Sequence, residues 1–232
     1  MRALDLSPYQ RLHGIRMDRA GRLYVLSETD SMMIRFDHPA TDETPSQVVP
    51  VGGARSHYFV IRRDGRRAYV ADTLSGMVLM LDPHDPTFTP VKKMIGEAPE
   101  GCCLSPDEST FYVLDRYAGV IVALDASTLH EKRRASLRGE AVRVVSLPNG
   151  KLVVSNTADK SLSLLQPDTL EEERRVQLEA AAPGLNLPDR GERLYAALES
   201  DRVAIIDVQR WEVLGLFQTG KAPDGAVLAR LA

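Results

Sequence analysis

The sequence predicts an all-β fold assembled from a repeated four-stranded unit. A short apolar motif returns at spacings of 45, 43, 41 and 42 residues, and an acidic or amide residue closes a later apolar run in each unit. A period of about forty residues with several short strands is typical of a propeller blade. The sequence therefore predicts a β-propeller with five recognisable blades of four antiparallel strands, plus terminal strands. The motif occupies Leu23–Val25, Ala68–Val70, Phe111–Val113, Leu152–Val154 and Leu194–Ala196, and the closing residues are Asp37, Asp82, Asp125, Gln166 and Asp207.

The second unit shows its four strands, A to D, most clearly. Strand A is predicted at His57–Arg62 and strand B at Ala68–Ala71, joined by an Asp64-Gly65 pair of the kind that closes hairpins. Strand C is predicted at Met77–Leu81 and strand D near Pro90–Ile95. Each is a short aliphatic and β-branched run between turn-forming residues, which is the usual signal of a strand.

The other units repeat this arrangement. Strand C is expected at Met32–Phe36, Val120–Leu124, Leu162–Leu165 and Val203–Ile206, and the A–B turns at Arg19–Gly21, Pro106–Glu108, Pro148–Gly150 and Asp189–Gly191. The units cover about residues 12–54, 55–98, 99–139, 140–180 and 181–221 of a single domain over residues 1–232. Either a partial unit at 222–232 and N-terminal strands within Arg2–Ser7 and Tyr9–Leu12 close the ring, or a partner chain covers the gap. A ring left open would expose strand edges that a partner chain could cover.

A turn, a Tyr-Val strand and an aliphatic strand ending on aspartate follow one another through the units. They are seen as Arg63-Asp64-Gly65 before Ala68-Tyr69-Val70-Ala71-Asp72, as Ser105-Pro106-Asp107 before Phe111-Tyr112-Val113, and as Val203-Ala204-Ile205-Ile206-Asp207. This order resembles the YVTN-type β-propeller repeat, whose relatives include lactonase-like enzymes, a lyase type, surface-layer-like propellers and many proteins without known chemistry. The resemblance implies the fold and no single activity. The chain departs from that family by having fewer units than the usual six or seven.

Composition excludes several classes of protein. The net charge of −3 and the pI near 6.0 give no general attraction to nucleic acid or to an anionic membrane. The only cysteines, Cys102 and Cys103, are adjacent, so a disulfide-stapled secreted scaffold is excluded. Residues 1–8 contain no apolar signal-peptide core, and eighteen apolar residues never run together. We therefore expect a soluble cytoplasmic protein, or an exported one if its N-terminus is truncated.

Strand order in a blade places the starts of the A strands and the ends of the B strands at one mouth of the central channel. Histidines and carboxylates collected there could hold a divalent cation such as Ca, Mg or Zn, or act as acid and base. The predicted catalytic residues are His13, His57 and Glu100; Asp115 and Asp224 join them as predicted metal ligands; Glu28, Asp72, Asn156 and Glu199 form a second ring. Asp224 is placed by matching Ala222-Pro223-Asp224-Gly225 to Ala98-Pro99-Glu100-Gly101.

A structural interpretation applies to the same residues. Asp72, Asp115 and Asn156 end B strands, where a short polar side chain commonly caps the following turn. Glu28 and Glu199 lie one place later and are expected as solvated loop carboxylates. His13 and His57 could instead hydrogen-bond a neighbouring blade, in which case no cofactor is needed.

Two further expectations concern the surface. His38 and His84 follow C strands and are predicted to lie in exposed C–D loops. Trp211 and Phe217 fall in strand D of the fifth unit, where apolar packing between blades is the simplest role. If that outer strand is exposed, both aromatic residues become candidates for an interface.

Two classes of function follow. The first is a non-catalytic ligand- or protein-binding propeller that presents its channel mouth or one face to a small molecule or a protein, since a fold alone specifies no chemistry. The second is a metal-assisted hydrolase or lyase resembling the lactonase-like propellers, in which a metal polarises a carbonyl and a carboxylate or histidine activates water. Neither nucleic acid nor membrane is an expected partner. The incomplete blade count also predicts a homo-oligomer formed through the open ring or an exposed strand edge.

Overall fold

Five four-stranded antiparallel sheets make up the computed structural model, which describes residues 3–188 and 191–224. Every sheet consists of four strands that are consecutive in the sequence and adjacent in the sheet. No helix occurs in these ranges, so the all-β prediction is confirmed for them. Within the same ranges, no helix is long and apolar enough to cross a membrane.

The strands repeat one pattern of lengths from sheet to sheet. The first sheet contains β1 (Leu12–Met17), β2 (Leu23–Ser27), β3 (Met32–Phe36) and β4 (Gln47–Pro50). The second contains β5 (Ser56–Ile61), β6 (Ala68–Asp72), β7 (Met77–Leu81) and β8 (Val91–Met94). The third contains β9 (Pro99–Leu104), β10 (Thr110–Asp115), β11 (Val120–Asp125) and β12 (Glu131–Ser136). The fourth contains β13 (Ala141–Ser146), β14 (Leu152–Asn156), β15 (Ser161–Leu165) and β16 (Glu172–Gln177). The fifth contains β17 (Gly184–Asn186), β18 (Arg193–Leu198), β19 (Arg202–Asp207) and β20 (Glu212–Gln218).

The predicted strand positions agree with the observed ones to within one or two residues where both are defined. Strand β7 has the predicted bounds, and β11, β15 and β19 each contain the whole of the predicted C strand. The fifth A–B turn falls partly on Asp189 and Arg190, which lie outside the described residues.

The repeat is visible in the backbone as well as in the sequence. The residue immediately before each C strand has a left-handed conformation, with φ between 51° and 70°. Its carbonyl oxygen accepts a hydrogen bond of 2.8–2.9 Å from the N–H group just beyond the D strand of the same sheet. Two of the five residues are glycine, which adopts this conformation without steric cost. The five are Ser31, Gly76, Gly119, Lys160 and Asp201.

Alternation along the inner strands gives each sheet two apolar faces. Tyr24 and Leu26 of β2 pack into a core shared with the second sheet, whereas Val25 faces the other side. Strand β14 behaves in the same way, because Leu152 packs against the third sheet and Val153 against the fifth. Successive strand residues point to opposite faces, so a run of consecutive apolar residues is what a sheet covered on both sides requires.

The chain divides into two compact units, and the division falls within β9. The first unit comprises the described part of Met1–Cys102 together with Ser127–His130, and the second comprises that of Cys103–Ala126 and Glu131–Ala232. The single domain expected from the sequence stays a prediction.

The N-terminal segment does not form the strands that were predicted for it. Residues 3–10 contain no strand, and β1 begins at Leu12. Instead, Leu4, Leu6 and Tyr9 pack against the face of the first sheet that carries Val25. The segment therefore covers apolar surface with side chains and adds no backbone pairing. At the other end, Asp224 lies outside any strand, and the rest of the expected sixth-unit strand lies outside the described residues.

His84 is not the free surface residue that its loop position suggested. Its Nε2 atom lies 3.1 Å from the hydroxyl oxygen of Tyr24, a fully buried side chain. The same hydroxyl lies 2.9 Å from Oδ2 of Asp18, which also accepts a hydrogen bond from Arg22 Nε at 2.6 Å. Gly65 lies so close that a β-carbon there would overlap the Tyr24 hydroxyl and the Asp18 carboxylate. This polar cluster joins the A–B turns of the first and second sheets.

Candidate functional site

The histidines predicted for the channel mouth come together at the starts of β1 and β5. His13 and His57 are each the second residue of an A strand, and their rings stack with centroids 4.1 Å apart and planes 28° apart. Each follows an arginine by two residues, as Arg11-Leu12-His13 and Arg55-Ser56-His57. The pairing of equivalent strands in adjacent sheets therefore places two Arg-x-His segments side by side.

Glu28 lies at the centre of this arrangement. Its side chain is 0 % exposed, and its two carboxylate oxygens accept hydrogen bonds from Arg11 Nε at 2.6 Å and from Arg55 Nε at 2.5 Å. His57 Nδ1 lies 3.3 Å from Oε1 of the same carboxylate. The expectation of a solvated loop carboxylate was wrong, because two basic residues that precede different A strands enclose Glu28.

The buried carboxylate of Glu28 is ionised at neutral and at mildly acidic pH. Burial alone would raise the pKa of Glu28, but the hydrogen bonds from Arg55, Arg11 and His57 outweigh burial and lower that pKa to about 2. Burial and the neighbouring His13 lower the pKa of His57, although Glu100 and Glu28 oppose that change. His57 is therefore largely neutral at neutral pH, and because a carboxylate can only accept, its hydrogen is on Nδ1.

Glu100 and His13 complete the group. Oε1 of Glu100 lies 3.9 Å from His57 Nε2, and the Glu100 side chain is buried at the second position of β9. The Nδ1 atom of His13 is buried and has no hydrogen-bond partner among the described residues. We refer to these six residues as the histidine–glutamate cluster: Arg11, His13, Glu28, Arg55, His57 and Glu100. All six belong to the first unit.

An equivalent ion pair in the second unit has the opposite polarity. Arg116 follows strand β10 as Glu28 follows β2, and it pairs with Glu140, which precedes β13 as Arg55 precedes β5. An ion pair at this position therefore stabilises the contact between successive sheets in either orientation. Compared with the Arg116–Glu140 pair, the histidine–glutamate cluster of the first unit also contains a second arginine and two stacked histidines.

Most of the remaining predicted residues at the B-strand ends cap the turn that follows, as the structural interpretation expects. Asp72 accepts hydrogen bonds at Oδ1 from the Ser75 backbone at 3.0 Å and the Ser75 hydroxyl at 2.7 Å. Asp115 accepts from the Ala118 backbone at 3.1 Å. These contacts cap the B–C turns, whereas Asn156 donates to the Ser163 hydroxyl at 2.9 Å within its own sheet.

Four of the predicted residues belong to the second unit: Asp115, Asn156, Glu199 and Asp224. Glu199 is exposed, as expected for a loop carboxylate. Asp224 is exposed and 4.0 Å from Arg143 Nη2. Over the described ranges, no three or more His, Cys, Asp or Glu side chains are grouped so that they could hold a metal ion. Glu28, the carboxylate nearest the histidines, is bound by two arginines, and the metal site predicted from the sequence stays a prediction.

The two arginines were missed at the level of sequence. The signal that could have found them is the recurrence of Arg-x-His at a separation of 44 residues, in step with the repeat. The comparisons with known proteins supply no further guide. No protein-family model matches the chain, and the curated proteins contain no significant match.

Proposed function

We propose that the protein is a non-catalytic ligand-binding β-propeller of the YVTN repeat type, and that the histidine–glutamate cluster binds a small anionic ligand carrying a carboxylate or phosphate group. The propeller arrangement is supported by five sheets with one strand order and by face-to-face packing of successive sheets within each unit. The position of the cluster at the starts of A strands then corresponds to the channel mouth.

The observation that carries the proposal is the way Glu28 holds two guanidinium groups. Arg11 and Arg55 each use Nε for the carboxylate, and their Nη groups make no hydrogen bond to another described residue. Their side chains are 60 % and 45 % exposed, so the remaining donors face solvent. The donors of the two arginines that Glu28 does not use remain open to a ligand, and a bidentate oxyanion matches the planar donor edge of arginine.

The stacked histidines add a dependence on pH. Protonation of His57 is disfavoured in the free protein by burial and by His13. A bound anion would stabilise the protonated ring, so affinity should rise as the pH falls toward the lowered pKa of His57. Glu100 faces the opposite ring nitrogen and limits how much negative charge the ligand can bring close to His57.

Isothermal titration calorimetry with phosphate, succinate and citrate at pH 6 and pH 8 tests the proposal. Binding should be tighter at pH 6, and Arg11→Ala or Arg55→Ala should weaken it at least about 10-fold, since a charge-assisted hydrogen bond contributes roughly 1.5–3 kcal/mol. Arg19→Ala is the matched control, because Arg19 is an exposed arginine beyond the other end of β1. Absence of binding at concentrations up to about 10 mM, a binding free energy near −3 kcal/mol, would refute the proposal.

A hydrolase in which His57 acts as general base is the second candidate. The observation that favours it is the contact between His57 Nδ1 and the buried Glu28 carboxylate, which fixes the tautomer whose Nε2 can accept a proton from water. Screening turnover of esters and lactones, with and without added Ca, Mg or Zn, tests both this activity and its metal-assisted form. His57→Gln should abolish any turnover, and His38→Gln, at an exposed histidine, should not. Turnover that survives His57→Gln would exclude this candidate.

A further inference from the structure

Strand β20 differs from the other four outer strands in the described part of the chain. It is the edge of the fifth sheet, and its apolar side chains are exposed on both faces. Val213, Leu214, Leu216 and Phe217 are 36–46 % exposed. Trp211, just before the strand, is buried in the core of the fourth and fifth sheets as predicted, whereas Phe217 is not. An exposed apolar edge strand is a template for pairing with another chain.

The outer strands of the other four sheets carry features that oppose such pairing. Strand β4 ends on Pro50, which lacks an N–H group. The other three have like charges at their centres, so two copies of any one of them, paired antiparallel about the centre, would place those charges opposite each other. The central residues are Lys92 and Lys93 in β8, Arg133 and Arg134 in β12, and Arg174 and Arg175 in β16.

Strand β20 is complementary to itself in the same register. Leu214 is the extra residue of a β-bulge in the pairing of β20 with β19. A two-fold axis at Gly215 would bring Leu214 next to Leu216 and Val213 next to Phe217 of the second copy. At the ends, Glu212 would face the uncharged Gln218, so no like charges meet. Gly215 has open space where a β-carbon would be, so a side chain can be introduced at the axis without a steric clash.

We propose that β20 is a homodimerisation strand that pairs antiparallel with β20 of a second copy of this chain. We choose a second copy of the chain as the partner because the apolar side chains and the charges of β20 match those of another β20 in the self-paired register. A charged partner strand would not match the apolar side chains of β20. A few side chains supply less area than the roughly 800 Å² per partner of a standard interface, so the dimer should be weak and concentration-dependent. The inference is independent of the proposed anion site.

Sedimentation velocity of the full chain over about 1–300 µM tests the proposal, since an interface of this size gives affinities near the micromolar range. The wild-type protein should shift from monomer to dimer, and Leu214→Lys with Leu216→Lys should weaken association at least 10-fold by opposing lysines across the axis. Leu74→Lys is the control, because Leu74 is 70 % exposed in the first unit. A strictly monomeric wild-type protein, or a dimer that the double variant does not weaken, would overturn the proposal.

A cysteine at the axis tests the register itself. Directly opposed residues of an antiparallel pair have Cα atoms about 4.5–5.5 Å apart, within the range that a disulfide spans. Gly215→Cys should therefore form a disulfide-linked dimer under mild oxidation, whereas Leu74→Cys should not. The native Cys102 and Cys103 are buried and give a low background. If another segment of the chain or a different partner covers β20, neither variant will crosslink, and that result would also overturn the proposal.

Discussion

Replacing Glu28 by glutamine should reveal how much the buried carboxylate stabilises the fold. The substitution keeps the shape of the side chain and removes its negative charge, so Arg11 and Arg55 remain close together without an anion between them. Both guanidinium groups lose a charge-assisted hydrogen bond, and one amide oxygen must replace two carboxylate oxygens. We expect the free energy of unfolding to fall.

The pKa of Glu28 sets the magnitude of this loss. A carboxyl whose pKa falls from an ordinary 4.5 to about 2 on folding stabilises the folded state by roughly 3 kcal/mol at neutral pH. Because both arginines are partly exposed, solvent screening reduces the expected loss to about 2 kcal/mol. For a chain of this length, that corresponds to a decrease in Tm of about 4–8 °C.

Urea unfolding at pH 7, 5, 4 and 3 measures the loss together with its dependence on pH. The folded-state pKa is depressed, so the stabilisation is fully present above about pH 4.5 and is lost as the pH falls toward about 2. The difference between wild type and Glu28→Gln should therefore be constant from pH 7 to 5 and shrink below that. Glu199→Gln, at an exposed glutamate one place beyond its B strand, should change stability by less than about 0.5 kcal/mol. A Glu28→Gln variant as stable as wild type at pH 7, or a difference that does not depend on pH, would refute the reasoning.

Three other predictions concern stability and titration. Gly65→Ala should destabilise the protein by about 2–4 kcal/mol, because the added β-carbon overlaps Asp18 and Tyr24 at a residue with a left-handed backbone. Gly21 has the same kind of φ but open space around it, so thermal unfolding of Gly21→Ala should show a loss of only about 1 kcal/mol. Tyr24→Phe should lose about 1–2 kcal/mol through the two hydrogen bonds of its hydroxyl, measured by urea unfolding against Tyr117→Phe on the surface. NMR titration should place the pKa of His57 below its ordinary value of 6.5. The ring should then contribute its full stabilisation above pH 6.5 and lose it as the pH falls through the lowered pKa of the folded state. An unshifted or raised pKa would contradict the geometry.

Strand positions could be read from the sequence because they depend on local chemistry. Turn formers such as Asp64-Gly65 and the tyrosine-containing B strands recur at a fixed period, and the observed strands follow them closely. The same repeat spacing identified His13, His57 and Glu100 as equivalent positions, and the structure brings these three into one cluster. Their equivalence is a property of the repeat, so one sequence is enough to find it.

Tertiary structure alone decided what surrounds those positions. Glu28 and Glu199 are equivalent in the repeat, yet Glu28 is fully buried and pairs with Arg55 of the next sheet, whereas Glu199 is exposed. Similarly, residues 3–10 look like strand and instead cover an apolar face, and Phe217 looks like core and instead lies on an exposed edge. Local sequence thus determined which residues form strands and where they turn. Burial, charge pairing and pKa depend on contacts between residues distant in sequence, and these exist only once the sheets have packed.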